Sequence, residues 1–151
     1  MMKKKLLFAA ATVAGLAVAL PAAAQFQKPE DAIKYRQSAM TLLAAHFGRV
    51  GAMAQGKVPF DAAAAASNGE IVVMMSRLPF AGFVDGTSAN TKAKPEIWTE
   101  RAKFDAAAAK MQEEAVKFAA ATKGGNLDQI KAAAGNLGGA CKACHDDFRA
   151  K

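Results

Sequence analysis

The chain has 151 residues and a formal charge of +7, and 52% of its residues are hydrophobic. The length suits one domain with a hydrophobic core, the composition excludes a disordered chain, and two cysteines exclude a disulfide-rich scaffold. Basic residues after position 24 are scattered among acidic ones without a basic block that interleaves with aromatic residues, which argues against nucleic acid as a partner.

The first predicted element is an export signal over residues 1–24. Met1–Lys5 is a basic start, Leu6–Leu20 is apolar, and a short alanine-rich stretch ends at Ala24. This three-part pattern is typical of a secretory signal peptide and is too short for a membrane span, although an uncleaved membrane anchor is the alternative. Cleavage after Ala24 leaves a domain over residues 25–151 that does not insert into a membrane. An oxidising compartment, most simply a bacterial periplasm, is the expected destination.

Four segments of this domain have the apolar spacing of amphipathic helices, and none shows a sustained strand period. The first helix is predicted over residues 29–53 and the second over 61–78, with Asp61 as its N-cap. The third is predicted over 95–123 and the fourth over 127–149. The pattern predicts an all-α fold, an antiparallel four-helix bundle with up-down-up-down topology.

Two features of these helices bear on function. The connection at residues 80–94 is long for a compact domain, and such loops are often functional. In the first helix the predicted inward stripe includes Gln37 as its one polar member, with Arg36 at its edge. The stripe of the fourth helix has the spacing of a bundle seam and comprises Leu127, Ile130, Ala134, Leu137, Cys141, Cys144 and Phe148.

One motif, Cys-x-x-Cys-His at residues 141–145, contains both cysteines of the chain. Two thiols three residues apart lie on one helix face, within reach of the two vinyl groups of one porphyrin, and His145 can then ligate the iron. The motif therefore predicts one covalently bound haem c, attached through Cys141 and Cys144. A redox Cys-x-x-Cys would favour a helix start after a strand, and a zinc site would need two further ligands, with His46 the one other histidine.

With this motif near the end of the last helix of a bundle, the chain resembles the class II c-type cytochromes, most closely the cytochromes c′. The similarity covers the whole mature chain. It includes Arg-Gln at 36–37, His-Phe-Gly-Arg at 46–49, Pro-Glu-Ile-Trp at 95–98 and the motif at 141–145 with the Asp-Asp-Phe-Arg that follows.

The resemblance implies roles for residues around the haem. Arg36 and Gln37 would meet the haem propionates, with a solvated arginine as the alternative for Arg36. Thr91 or Lys92 would approach a propionate from the loop. Arg149 would lie beside the imidazole of His145, or would interact with the helix dipole instead.

Met40 shares a helix face with Arg36 and Gln37, and the resemblance places it over the iron. In one interpretation it blocks the sixth position, leaving a five-coordinate, high-spin iron that binds NO and CO. In the alternative its sulfur ligates the iron, which suits electron transfer. Plain core packing is the third possibility.

The sequence thus predicts a periplasmic monohaem cytochrome that binds NO and CO and transfers electrons to or from an unidentified redox partner. We expect no enzymatic activity, because the distal side offers no acid–base residues for NO reductase or peroxidase-like turnover. The low-spin electron-transfer cytochrome is the alternative function. The resemblance also implies a homodimer formed through the first two helices.

Overall fold

A computed structural model of the protein describes residues 25–151, and the predicted export signal at residues 1–24 lies outside the described residues. Over these described residues the chain forms five α-helices, with a 3₁₀ turn at Pro79–Gly82: α1 Pro29–Ala54, α2 Ala62–Met75, α3 Glu96–Thr99, α4 Arg101–Gly124 and α5 Leu127–Phe148. The four long helices α1, α2, α4 and α5 form the predicted antiparallel bundle. Within the described part of the chain, no helix has the length and apolar character needed to cross a membrane.

The ends of the helices follow from local chemistry. The side chain of Asp61 accepts a hydrogen bond from the amide of Ala64 at 2.9 Å, as predicted for the N-cap of α2. Asn126 does the same for α5, where the amide of Gln129 donates at 3.0 Å. Gly125 has a φ of 69°, the left-handed conformation that ends α4 and lets the chain reverse into α5.

The predicted third helix is wrong in one respect, because the structure divides it into α3 and α4. Glu100 leaves the helical region with φ −116° and ψ 44°. The bend lets α3 pack on the loop, where the indole Nε1 of Trp98 donates to the carbonyl of Val84 at 3.1 Å. The second helix also ends earlier than predicted, at Met75, and the chain then enters the 3₁₀ turn.

The part of the chain that the structure describes packs around two apolar clusters. The main core cluster lies among the long helices and consists of Leu43, Val50, Ala54, Ala65, Val72, Met111, Ala115, Phe118, Ile130, Ala133 and Leu137. The aromatic cluster has Ile97, Phe104 and Phe148 at its centre, with Phe80, Phe83 and Trp98 packed around them.

The bundle is not equally tight on all sides. At the α2–α4 contact a Cβ added to Gly69 would lie 2.1 Å from Oγ1 of Thr122, so this pair of helices needs a glycine. By contrast, fewer residues of α1 and α5 lie close to each other than in the other neighbouring pairs of long helices. The loosest side of the bundle therefore lies between the helix that carries Met40 and the helix that carries the cysteines.

Candidate functional site

The two cysteines lie where the two apolar clusters meet. Both are free thiols on α5 and both are half-buried. Cys141 packs against the main core cluster, whereas Cys144 packs against the aromatic cluster. Phe80, from the 3₁₀ turn, packs against both clusters and so marks the same boundary. The two cysteines of the motif therefore lie along the boundary between the two clusters.

The surroundings of the thiols bear on the two competing interpretations of the motif. Burial raises the pKa of Cys141, and burial followed by the charge of Cys141 raises the pKa of Cys144. A redox-active pair needs the opposite, a lowered thiol pKa. Among residues 25–151 no group of three or more potential metal ligands is formed, which leaves a zinc site without its ligand set.

His145 is exposed at the end of α5, next to the cysteines. Desolvation lowers its pKa, and the nearby charge of Arg149 lowers it further, so the neutral imidazole is favoured. The neutral form has the free nitrogen lone pair that an iron ligand requires. Arg149 is itself exposed, and its backbone amide donates to the carbonyl of His145 at 3.0 Å.

Met40 is half-buried on α1 and packs against the main core cluster, as Cys141 does from α5. Two helices that are loosely packed against each other therefore present an apolar thioether and a thiol to the same apolar region. Both packing and a function at an iron centre are chemically compatible with this position of Met40.

Arg36 is the most buried charged residue of the site, with 3% of its surface exposed. Its Nη1 donates to the carbonyl of Gly82 at 2.8 Å and to Oγ1 of Thr87 at 2.6 Å. Its Nη2 donates to the carbonyl of Thr87 at 2.6 Å and to Oγ1 of Thr91 at 3.4 Å. Its guanidinium also lies 4.5 Å from the centre of the Phe83 ring. Burial lowers the pKa of Arg36 without discharging it.

These contacts correct the predicted stripe of α1. The structure buries Arg36 and exposes Gln37, the reverse of their expected places on the stripe and at its edge. The reason is that α1 faces two neighbours, the long helices on one side and the 3₁₀ turn with its loop on the other. A solvated Arg36 is therefore excluded. Thr91 lies beside Arg36 as a half-buried residue, while Lys92 is exposed.

Sequence reasoning missed Thr87 and Gly82. Thr87 is fully buried, accepts from Arg36, and donates to the carbonyl of Val84 at 2.6 Å. A Cβ at Gly82 would lie 2.6 Å from the carbonyl of Ala32, so this glycine sits directly against α1. The composition of the loop marks it as irregular, but no local signal distinguishes Thr87 from the exposed Ser88 beside it.

A four-helix bundle with a Cys-x-x-Cys-His motif near the end of its last helix defines a class of helical c-type cytochromes. Comparison with known proteins identifies the family. A family model described as "Cytochrome C'" matches residues 31–149. The chain is 57% identical over 129 residues to cytochrome c′ from Rubrivivax gelatinosus, covering 84% of this chain and all of the relative. The chain belongs to the cytochrome c′ family.

Solved structures agree with this assignment. The crystal structure of cytochrome c′ from Rubrivivax gelatinosus superposes with a TM-score of 0.80 at 56% identity, covering 83% of this chain and 100% of that one. A nitric oxide complex of a cytochrome c prime variant from Alcaligenes xylosoxidans superposes with a TM-score of 0.80 at 47% identity, covering 84% and 99%. Family membership implies a covalently bound haem c, and the free cysteine pair is consistent with it.

Proposed function

We propose that the protein is a periplasmic monohaem cytochrome whose five-coordinate, high-spin iron binds NO and CO, with one-electron transfer as a second capacity. The observation that carries the proposal is that Met40 of α1 and Cys141 of α5 pack against the same apolar cluster on the loosest side of the bundle, with Cys144 on the neighbouring aromatic cluster. The nitric oxide complex of the Alcaligenes xylosoxidans relative supports it. Residues 1–24 would direct export and be removed, leaving residues 25–151 as the mature domain.

Cys141 and Cys144 would hold the haem. Each thiol would form one thioether bond to a vinyl group of the porphyrin, an addition that would take up the thiol proton and consume no oxidant. His145, favoured in its neutral form, would ligate the iron from the proximal side. When bound, the haem iron supplies the coordination position at which a small gas binds. Arg149 would lie beside this imidazole and tune its basicity.

Arg36 would face a haem propionate, because it is a buried cation for which no ion pair is found within the described residues. A buried charge without an opposite charge is unfavourable, and a propionate carboxylate would supply that charge. The 3.4 Å contact with Thr91 is the longest of the four hydrogen bonds of Arg36 and the one most readily exchanged for a propionate oxygen. Thr91 and the exposed Gln37 would complete the polar rim.

Met40 would cover the sixth coordination position without ligating it. Its apolar setting offers no hydrogen-bond donor of the kind that bound O2 requires, whereas NO and CO need little polar support. The same setting offers no acid–base residue, so we propose binding rather than catalysis. The alternative is a low-spin electron-transfer cytochrome with the sulfur of Met40 as sixth ligand.

We expect the purified ferrous protein to bind NO and CO tightly and O2 weakly, as measured by spectrophotometric titration of each gas. Met40→Leu keeps the site apolar and is expected to preserve this order. Met40→Gln introduces a donor and is expected to raise O2 affinity by about threefold to tenfold, the effect of one hydrogen bond. Tight O2 binding by the unmodified protein would contradict the proposal.

A homodimer through α1 and α2 is also part of the proposal. Leu42 of α1 and Met74 of α2 leave 49% and 62% of their surfaces exposed. An open, mainly apolar groove lies in the same region, lined by Phe26, Tyr35, Ala39, Leu42, Met75 and Leu78 with a few polar neighbours. Pairing of two copies would remove these apolar side chains from water, which favours the dimer. The redox partner would be a separate protein that meets the haem edge.

A further inference from the structure

Residues 82–94, here called the strap, connect two distant parts of the candidate site. The strap leaves the 3₁₀ turn beside α1 and reaches the C-terminal end of α5 before α3 begins. It therefore starts next to the helix that carries Met40 and ends next to the residues that follow His145.

The first end of the strap is fixed on α1. Gly82 has no room for a Cβ against the carbonyl of Ala32, and its own carbonyl accepts from Arg36. Thr87 is fully buried and accepts two hydrogen bonds of 2.6 Å from the same guanidinium, through Oγ1 and through its carbonyl. Because these acceptors lie near a charged donor in a buried place, their loss would leave that donor unsatisfied.

The second end of the strap pairs with the chain after α5. Ala93 and Arg149 form an antiparallel bridge. The amide of Lys94 donates to the carbonyl of Phe148 at 3.0 Å, and the amide of Ala150 donates to the carbonyl of Lys92 at 2.8 Å. The ammonium group of Lys94 additionally donates to the carbonyl of Asp147. The last turn of α5 is thus held by backbone bonds from the strap.

Two routes join these ends. Thr91 Oγ1 accepts from Arg36 at 3.4 Å and from the amide of Ala93 at 3.1 Å. This one hydroxyl therefore links Arg36 to the bridge between Ala93 and Arg149. The other route is apolar, because Phe83 lies under the guanidinium of Arg36 and packs edge-on to Phe104 at 4.9 Å. Phe104 in turn packs edge-on to Phe148 at 5.3 Å. Both routes end within one turn of His145.

We infer that the strap sets the position of the last turn of α5, and that Arg36 and Thr87 are positioning residues for His145 although they lie on other elements. The role of His145 as the iron ligand rests on the proposed function, whereas the mechanical link from Arg36 to Phe148 and Ala150 does not. The inference gives the buried Arg36 a second role that is independent of a propionate.

Amide hydrogen exchange of the haem-loaded protein tests the mechanical link. Thr87→Val removes the hydroxyl between Arg36 and Val84, and we expect exchange at Lys94 and Ala150 to accelerate by about tenfold, as the loss of one hydrogen bond allows. Arg36→Lys keeps a charge but loses the forked donors, and it should have the same effect. Thr87→Ser keeps the hydroxyl and is expected to stay near the unmodified protein. Thr99→Val, at an exposed position of α3, is the matched control.

The iron–histidine stretching band in resonance Raman spectra of the ferrous protein tests the positioning of His145. We expect this band to shift in Thr87→Val and Arg36→Lys and to remain unchanged in Thr87→Ser and Thr99→Val. Faster exchange with an unmoved band would overturn the positioning role, and unchanged exchange would overturn the strap itself. If Thr87→Val does not fold, amide exchange and the iron–histidine band are compared between Arg36→Lys and Thr99→Val instead. Absence of the band in the unmodified protein would contradict the proposed five-coordinate, high-spin iron, and amide exchange would still decide whether the strap exists.

Discussion

Replacing both Cys141 and Cys144 with serine is expected to abolish covalent haem attachment. A serine hydroxyl is a much weaker nucleophile than a thiol, so neither carbon–sulfur bond can be replaced by an equivalent bond. The measurement is haem staining after denaturing electrophoresis, together with the intact mass of the purified chain. Each single variant retains one thiol and is expected to carry haem through one bond, in reduced yield.

The matched control for this change lies inside the motif. Lys142 is exposed between the two cysteines and pairs with Asp146 on the surface. Lys142→Gln should therefore keep full haem attachment. A double cysteine variant that keeps the haem signal of the unmodified protein after denaturation would show that the attachment site lies elsewhere.

Phe118→Ala is expected to destabilise the bundle by about 3–5 kcal/mol, the usual cost of removing a fully buried phenylalanine side chain. Phe118 belongs to the main core cluster, has no exposed surface, and packs edge-on to Phe47 of α1 with ring centres 5.3 Å apart. Truncation would therefore open a cavity between α4 and α1. The measurement is denaturant unfolding of the haem-loaded protein, followed by circular dichroism in the helical region.

Val116 provides the comparison for this prediction, since it lies on the same helix with half of its surface exposed. Val116→Ala is expected to change the free energy of unfolding by less than about 0.5 kcal/mol. If Phe118→Ala lost no more stability than Val116→Ala, the packing described for the main core cluster would be incorrect.

The bundle could be predicted from the sequence because each long helix carries its own signals. Asp61 and Gly125 fix helix ends through local hydrogen bonding and backbone conformation, which do not depend on distant residues. The break at Glu100 was missed for the opposite reason. Nothing in its neighbours forbids a continuous helix, and the bend accompanies a contact between α3 and the strap that lies outside the helix itself.

The candidate site likewise has a part that local sequence determines and a part that depends on distant residues. Its chemistry is local, because Cys141, Cys144 and His145 lie within five residues of one helix, and their motif could be identified directly. The place of Arg36 is not local. Arginine is rarely buried, and the oxygen atoms that make its burial possible belong to Gly82 and Thr87, about fifty residues later in the chain. Helical periodicity describes one helix at a time and therefore assigned the inward position to Gln37.

The absorption spectrum of the purified mature protein, oxidised and reduced, tests the central claim most directly, with Met40→Ala measured beside it. Because Met40 is proposed to cover the iron without ligating it, we predict high-spin bands in both oxidation states, a shift on adding NO, and high-spin bands again in Met40→Ala. A low-spin spectrum with a methionine–iron charge-transfer band that disappears in Met40→Ala would contradict this account. It would establish the protein as a six-coordinate electron-transfer cytochrome.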